Sequence, residues 1–237
     1  MKSFSNTYIF VFSTIMVVVV AALLSIAAMT LQPFQKKNVE INKKENILTS
    51  INIESTAENA VELYDKFIVE SYVVDHTGQI KEGVDAFEVE LKKEMAKPLE
   101  ERNLPVFISM NDHDEKQYIL PVYGKGLWGP VWGYISLEDN LSTIYGANFS
   151  HQGETPGLGA EIATKDFQNQ FIGKEIFNDQ GEFVSVSVKK GGTANPQSAY
   201  EVDGISGGTI TSEGVDAMLN DCLKSYIPYF ENIKNQS

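Results

Sequence analysis

From Ser3 to Gln35 the chain carries no charged residue, and Tyr8 to Leu31 is a run of about 24 mostly apolar side chains. No other stretch limits the fold so strongly. At about 1.5 Å per helical residue, such a run crosses a hydrocarbon core of about 30 Å with some tilt. A cleaved signal peptide is the rival reading, with Ala27-Ala28-Met29 as the place for cleavage. Its apolar region is shorter, however, and the length here favours a retained anchor. Orientation is in conflict at this level. Lys2 lies on one side; Lys36, Lys37, Lys43 and Lys44 lie on the other. A count of basic residues puts the C-terminal side in the cytoplasm, although long domains are translocated against that bias.

The sequence predicts three parts: a transmembrane anchor over 1–34, a stalk helix over 35–55 and one domain over 56–237. Val39, Ile47, Leu48 and Ile51 line one side of the stalk. The 237 residues, 43% of them hydrophobic, suffice for one anchor and one well-buried domain. A net charge of −13 repels nucleic acid and anionic lipid headgroups, so a nucleic-acid partner is excluded. Cys222 is the single cysteine, so neither an internal disulfide nor a thiolate metal site can form. His76, His113 and His151 are scattered, and His113 falls in a polar turn; no metal site is expected.

The domain reads as α+β with a largely antiparallel sheet. Ala57, Ala60, Val61, Tyr64, Phe67 and Ile68 form a helical stripe over 56–69. Ser71 to Ile80 is β-branched and ends at a His-Thr-Gly turn, and Asp85 to Met95 reads as a charged helix closed before Pro98. Val106–Ile108 and Tyr118–Val122 flank the turn Asn111–Lys116 as a hairpin, and Tyr134–Leu137 and Ile144–Ser150 continue the strand pattern. A helix is expected over 160–170. Phe183 to Val188 alternates, which predicts a strand with Lys189 and Lys190 at its solvated end.

Three glycine-rich stretches stand apart. In Gly124–Tyr134 small residues alternate with aromatics, and Trp128 and Trp132 are either core residues or partners of a flat ring. Gly153-Glu154-Thr155-Pro156-Gly157-Leu158-Gly159 is a tight loop, with the wrong spacing for a Walker or dinucleotide motif. Asp203-Gly204-Ile205-Ser206-Gly207-Gly208-Thr209-Ile210-Thr211-Ser212 delivers hydroxyls to a helix start. Val215, Met218, Leu219, Cys222, Leu223 and Tyr226 then mark that helix's buried face. Thr211, or Ser212 with Glu213 nearby, is the expected cap. A helix N-terminus of this kind suits an anion such as a phosphate.

The stretch Asp203–Thr209 resembles the acceptor motif of bacterial flavin transferases, Asp-x-x-(Ser/Thr)-Gly-Ala-Thr, with Gly208 in the place of the Ala. In that motif the last Thr is esterified through its side-chain oxygen to the phosphate of FMN. The resemblance therefore implies covalent FMN on Thr209, with Ser206, Gly207, Gly208 and Thr211 around it, and Asp203 recognised by the transferase. Leu31-Gln32-Pro33-Phe34-Gln35-Lys36-Lys37-Asn38 and Lys43–Leu48 resemble the start of the C subunits of Na⁺-translocating NADH:quinone oxidoreductases, a family that carries the same motif. The Gly-x-Gly-Leu-Trp pattern ending at Trp128 and the loop Glu154–Gly159 are similar to those of its FMN-binding domains. They imply Trp128, Glu154, Thr155, Gly157, Leu158 and Gly159 as flavin neighbours, and Trp132 as structural.

The same resemblance implies an electron-transferring flavoprotein subunit with no catalytic acid, base or nucleophile. It would be anchored once in the bacterial cytoplasmic membrane with its domain outside the cytoplasm, among other membrane subunits. The NADH site and sodium path then belong to those other subunits, since this chain has no dinucleotide fingerprint. Three alternatives stand beside this: the corresponding flavoprotein subunit of an Rnf-type ferredoxin:NAD⁺ complex, a membrane-anchored sensor domain without cofactor, and an acyl-transfer enzyme using Ser206 or Thr209 as nucleophile. The segment after the anchor and the length of the domain count against the first.

Overall fold

The computed structural model describes residues 5–110 and 115–235. Lys2, His113 and most of the turn expected at Asn111–Lys116 lie outside the described residues. The chain forms two compact units, Met1–Lys43 and Lys44–Ser237. The first unit is helical. Helix α1, Asn6–Ser50, is 45 residues long with Pro33 inside it, and its apolar N-terminal side chains are exposed. Among the described residues it is the one helix long and apolar enough to cross a membrane. The boundary at Lys43/Lys44 falls ahead of the expected 55/56. Ile47, Leu48 and Ile51, placed in the stalk by their sequence pattern, are fully or almost fully buried in the second unit.

The second unit is an antiparallel sheet of order β2-β1-β3-β4-β5-β6. Its strands are β1 Ile68–Val74, β2 Ile80–Lys81, β3 Leu104–Met110, β4 Lys116–Lys125, β5 Pro130–Leu137 and β6 Ile144–His151. Successive side chains in a strand point to opposite faces. Val106, Ile108, Leu120, Val122, Val131 and Ile135 accordingly enter one core, while Phe107, Ile119 and Tyr134 enter a second. Both faces must therefore be covered. The last two helices, α5 (Thr209–Ser225) and α6 (Ile227–Lys234), supply much of the first core. The second core receives the end of α1 and helix α2 (Ala60–Phe67).

Several local expectations change. Helix α2 begins at Ala60, and Leu63, Tyr64 and Phe67 face the core while Val61 points outward. Only a 3₁₀ turn at Ala86–Glu88 and helix α3, Leu91–Glu94, form in the charged segment. The helix expected over 160–170 is broken into a 3₁₀ turn Gly159–Ala163, helix α4 at Lys165–Gln168 and a second turn Asn169–Phe171. The strand expected at Phe183–Val188 shrinks to β7, Ser187–Lys189, because Ser185 turns into the left-handed region (φ 59°). Phe183 bridges to Phe177 instead, and β7 pairs in parallel with β8, Glu201–Asp203. Lys189 is the last residue of β7, 3.5 Å from Glu201, and Lys190 follows it, exposed.

Candidate functional site

The site lies where three loops meet at the start of α5. This helix follows the predicted stripe: Val215, Met218, Leu219, Cys222 and Leu223 are buried. It lies close on β4 because two glycines leave room. A methyl group on Gly124 would stand 2.6 Å from Met218 Cβ, and one on Gly214 would collide with the Lys125 carbonyl. The Val188 N–H donates to Asp216 Oδ1 (2.6 Å), which ties the same helix to β7. Tyr123 N–H donates to Cys222 Sγ at 3.4 Å, and burial pushes the Cys222 thiol up to about 11. The cysteine packs in the core.

The first turn of α5 differs from the expected cap. The helix opens at Thr209, with Gly208 as the flanking residue. The two predicted capping hydroxyls are engaged elsewhere: Ser212 Oγ accepts the Ile205 N–H at 2.9 Å, and Thr211 Oγ1 donates to Glu154 Oε2 at 2.6 Å. Thr209 thus occupies the first helical position and is exposed. Gly207 sits in the left-handed region (φ 77°), and a side chain there would run into Leu158 Cδ2 at 2.7 Å. Gly208 has a local reason too. A methyl group would stand 3.1 Å from Ile205 Cβ and 3.2 Å from the Gly159 nitrogen. Ile205 occupies space that the usual Ala would need.

Glu154 joins the three loops. It is 5% exposed. Its Oε1 accepts the Trp128 N–H at 2.8 Å while Oε2 takes the Thr211 hydroxyl. Methyl groups on Gly126 and Gly159 would each stand 2.5 Å from one of these oxygens, so both glycines make room for the carboxylate. The loop's own bonds hold its shape: Leu158 and Ala160 N–H donate to the Thr155 carbonyl at 3.1 Å, and Gly157 N–H donates to Glu161 Oε1 at 2.9 Å. The Trp128 turn is closed by a 2.8 Å bond from Gly126 N–H to the Gly129 carbonyl.

These loops enclose an open cavity of about 410 Å³. The structure brings Trp128, Glu154, Thr155, Leu158, Gly159, Gly207, Gly208, Thr209 and Thr211 into its lining. Ser206 and Gly157 lie in the same loops but outside the lining. Asp203 is at the end of β8, where its Oδ1 accepts the Ala194 N–H at 2.9 Å and its backbone pairs with the Gln170 amide. Leu127 and Ile210 also line the cavity, 47% and 54% exposed, and the motif reading missed both. Ile210 left a signal: it is apolar but lies off the buried stripe of α5. Trp128 is 66% exposed, whereas Trp132 is half-buried within β5.

An exposed threonine at a helix N-terminus, bare glycine backbone and a mostly apolar wall suit a phosphate-bearing, flat ligand. In agreement, residues 126–224 match the family model of the FMN-binding domain. The C subunit of the Na⁺-translocating NADH-quinone reductase of Haemophilus ducreyi is 34% identical, over 80% of this chain and 79% of that protein. The C subunit of the Vibrio alginolyticus enzyme is 32% identical, over 92% and 91%. The crystal structure of the same subunit from Parabacteroides distasonis superposes with a TM-score of 0.78 and 46% identity, covering 84% of this chain and 96% of that one. NqrC of Shewanella oneidensis, at 22% identity and a TM-score of 0.72, shares the fold. The chain carries an FMN-binding domain, and it belongs to the family of the C subunits of Na⁺-translocating NADH-quinone reductases.

Proposed function

We propose that this protein is the electron-transferring flavoprotein subunit of a membrane complex that couples oxidation of NADH by quinone to Na⁺ export, and that Thr209 Oγ holds FMN as a phosphoester. The observation that carries this reading is the placement of Thr209. This exposed residue holds the first position of a 17-residue helix and lines the cavity. The residues present fit the group. The open N–H groups and dipole of the first turn of α5 suit a phosphate. Gly207, Gly208 and Gly159 leave the backbone bare on that side, and Leu127, Trp128, Leu158 and Ile210 offer apolar and aromatic surface for a ring.

When bound, FMN supplies the redox chemistry, and the chain holds and orients it. An ester bond keeps the cofactor on a domain that faces away from the cytoplasmic pool. On this reading the domain is extracytoplasmic, α1 is a retained single span in the cytoplasmic membrane, and the NADH site and sodium path belong to partner subunits. Asp203 serves recognition by the flavin transferase; its bond to Ala194 leaves the acceptor loop itself free of that carboxylate.

Coexpression with a flavin transferase tests the attachment. Thr209→Ala abolishes flavin fluorescence of the denatured band, while Asp203→Ala gives folded protein that is flavinylated more slowly. A fluorescent Thr209→Ala band sinks the assignment and turns attention to Ser206 and Thr211; equal rates for Asp203→Ala and wild type remove its recognition role. A reporter fused after residue 237 is expected to be active only outside the cytoplasm, and activity inside overturns the topology.

A further inference from the structure

We propose that Glu154 is a positioning residue of the flavin site: it fastens the Trp128 turn to the first turn of α5, and its charge in the cavity wall holds the flavin toward its oxidised state. The inference rests on FMN occupying this cavity through Thr209. Glu154 has the geometry of a strut. One oxygen takes a backbone N–H from the β4–β5 turn, the other a hydroxyl from α5, and both bonds are short, at 2.8 and 2.6 Å. A carboxylate that only accepts is matched here by two donors. Gly126 and Gly159 close over it, so it cannot swing out to water without parting the loops.

The same burial makes the charge felt. Glu154 is 5% exposed, yet lines the cavity, and no salt bridge to it occurs among the described residues. An anion with little water and no counter-cation interacts strongly with a neighbouring charge. Electrons taken up by a ring in the cavity bring negative charge against this wall, so the fixed charge disfavours the reduced form. Two hydrogen bonds to neutral donors spread that charge without cancelling it.

Two variants separate the strut from the charge. Glu154→Gln keeps the length: its carbonyl accepts from Trp128 N–H and its amide donates to Thr211 Oγ1, but the charge is gone. Glu154→Asp keeps the charge and is too short to span both partners. Each is flavinylated, titrated with dithionite against reference dyes, and measured for flavin fluorescence anisotropy. Glu154→Gln is expected to move the midpoint potential positive, a several-fold rise in the reduced-to-oxidised ratio at fixed potential, with anisotropy unchanged. Glu154→Asp is expected to lower the anisotropy, with a smaller change of potential. A Glu154→Gln potential equal to wild type overturns the charge role, and unchanged anisotropy in Glu154→Asp overturns the strut. If either variant does not fold, Thr211→Ala, which cuts only the Oε2 contact, must lower the anisotropy; no change there overturns the strut as well. Wild type without covalent flavin instead defeats the Thr209 reading, a distinguishable result.

Discussion

The two faces of the central sheet are both buried, but they are covered in different ways. On one face, Leu48 and Ile47 from the end of α1 and Tyr64 and Phe67 from α2 pack on Phe107, Ile119 and Tyr134. Large side chains fill most of this space, and Gly146 leaves room only for the Ser50 carbonyl that ends α1, which accepts the Ser136 hydroxyl. On the other face α5 comes close to β4 only because Gly124 and Gly214 lack side chains, and it is held by Asp216 and Cys222. The first face is a cover that keeps apolar surface from water. The second is a cover placed so that one end of its helix, Thr209, reaches the Glu154 and Trp128 loops. Close approach by glycine is how the fold sets the position of this helix end, and with it the position of Thr209.

The contrast can be broken by substitution. Leu48→Ala leaves a cavity in the first face and is expected to cost about 2–5 kcal/mol in denaturant unfolding. Below the melting transition its flavin content should equal that of wild type. A parallel loss of flavin loading at temperatures where it is folded would mean that the two faces are coupled. Gly214→Ala tests the second face. In an open helix the change from Gly to Ala stabilises by about 1 kcal/mol. Here the new methyl meets the Lys125 carbonyl, so the sign reverses, and a cost of about 1–3 kcal/mol is expected together with lower flavin anisotropy. A stabilised Gly214→Ala protein would show that α5 is free to shift.

The smallest effect concerns Cys222, whose thiol is held up at about 11 by burial between α5 and β4. Its folded value lies above that of an unfolded thiol, so this group's contribution to stability is complete below the unfolded value and is lost as pH rises toward the folded one. At pH 8 the native thiol should react with iodoacetamide many times more slowly than the denatured one. Rapid alkylation of the folded protein would mean that α5 opens readily from the sheet.

Much was legible in the residues. The long apolar helix at the N-terminal side needed only length and the absence of charge. The antiparallel β3–β4–β5–β6 array followed from apolar runs and turns, and the buried face of α5 from its spacing. Thr209 and most of the residues that line the cavity were picked out by short motifs and a resemblance. Other features had no local sign. The start of α5 shifted to Thr209 because the hydroxyls of Thr211 and Ser212 are used by Glu154 and Ile205, residues far away or turned back along the chain. The pattern of Phe183–Val188 gave way to a left-handed turn at Ser185. Ile47 and Leu48 read as stalk residues until the sheet's second face claimed them.

By itself the sequence determined which segments are apolar, which alternate and which are rich in hydroxyls and glycine, because those properties depend on a residue and its near neighbours. Only the tertiary structure decided that Glu154 would hold Trp128 and Thr211 together. That arrangement depends on which distant groups meet, on the room that Gly126 and Gly159 leave, and on the cost of burying a carboxylate without donors.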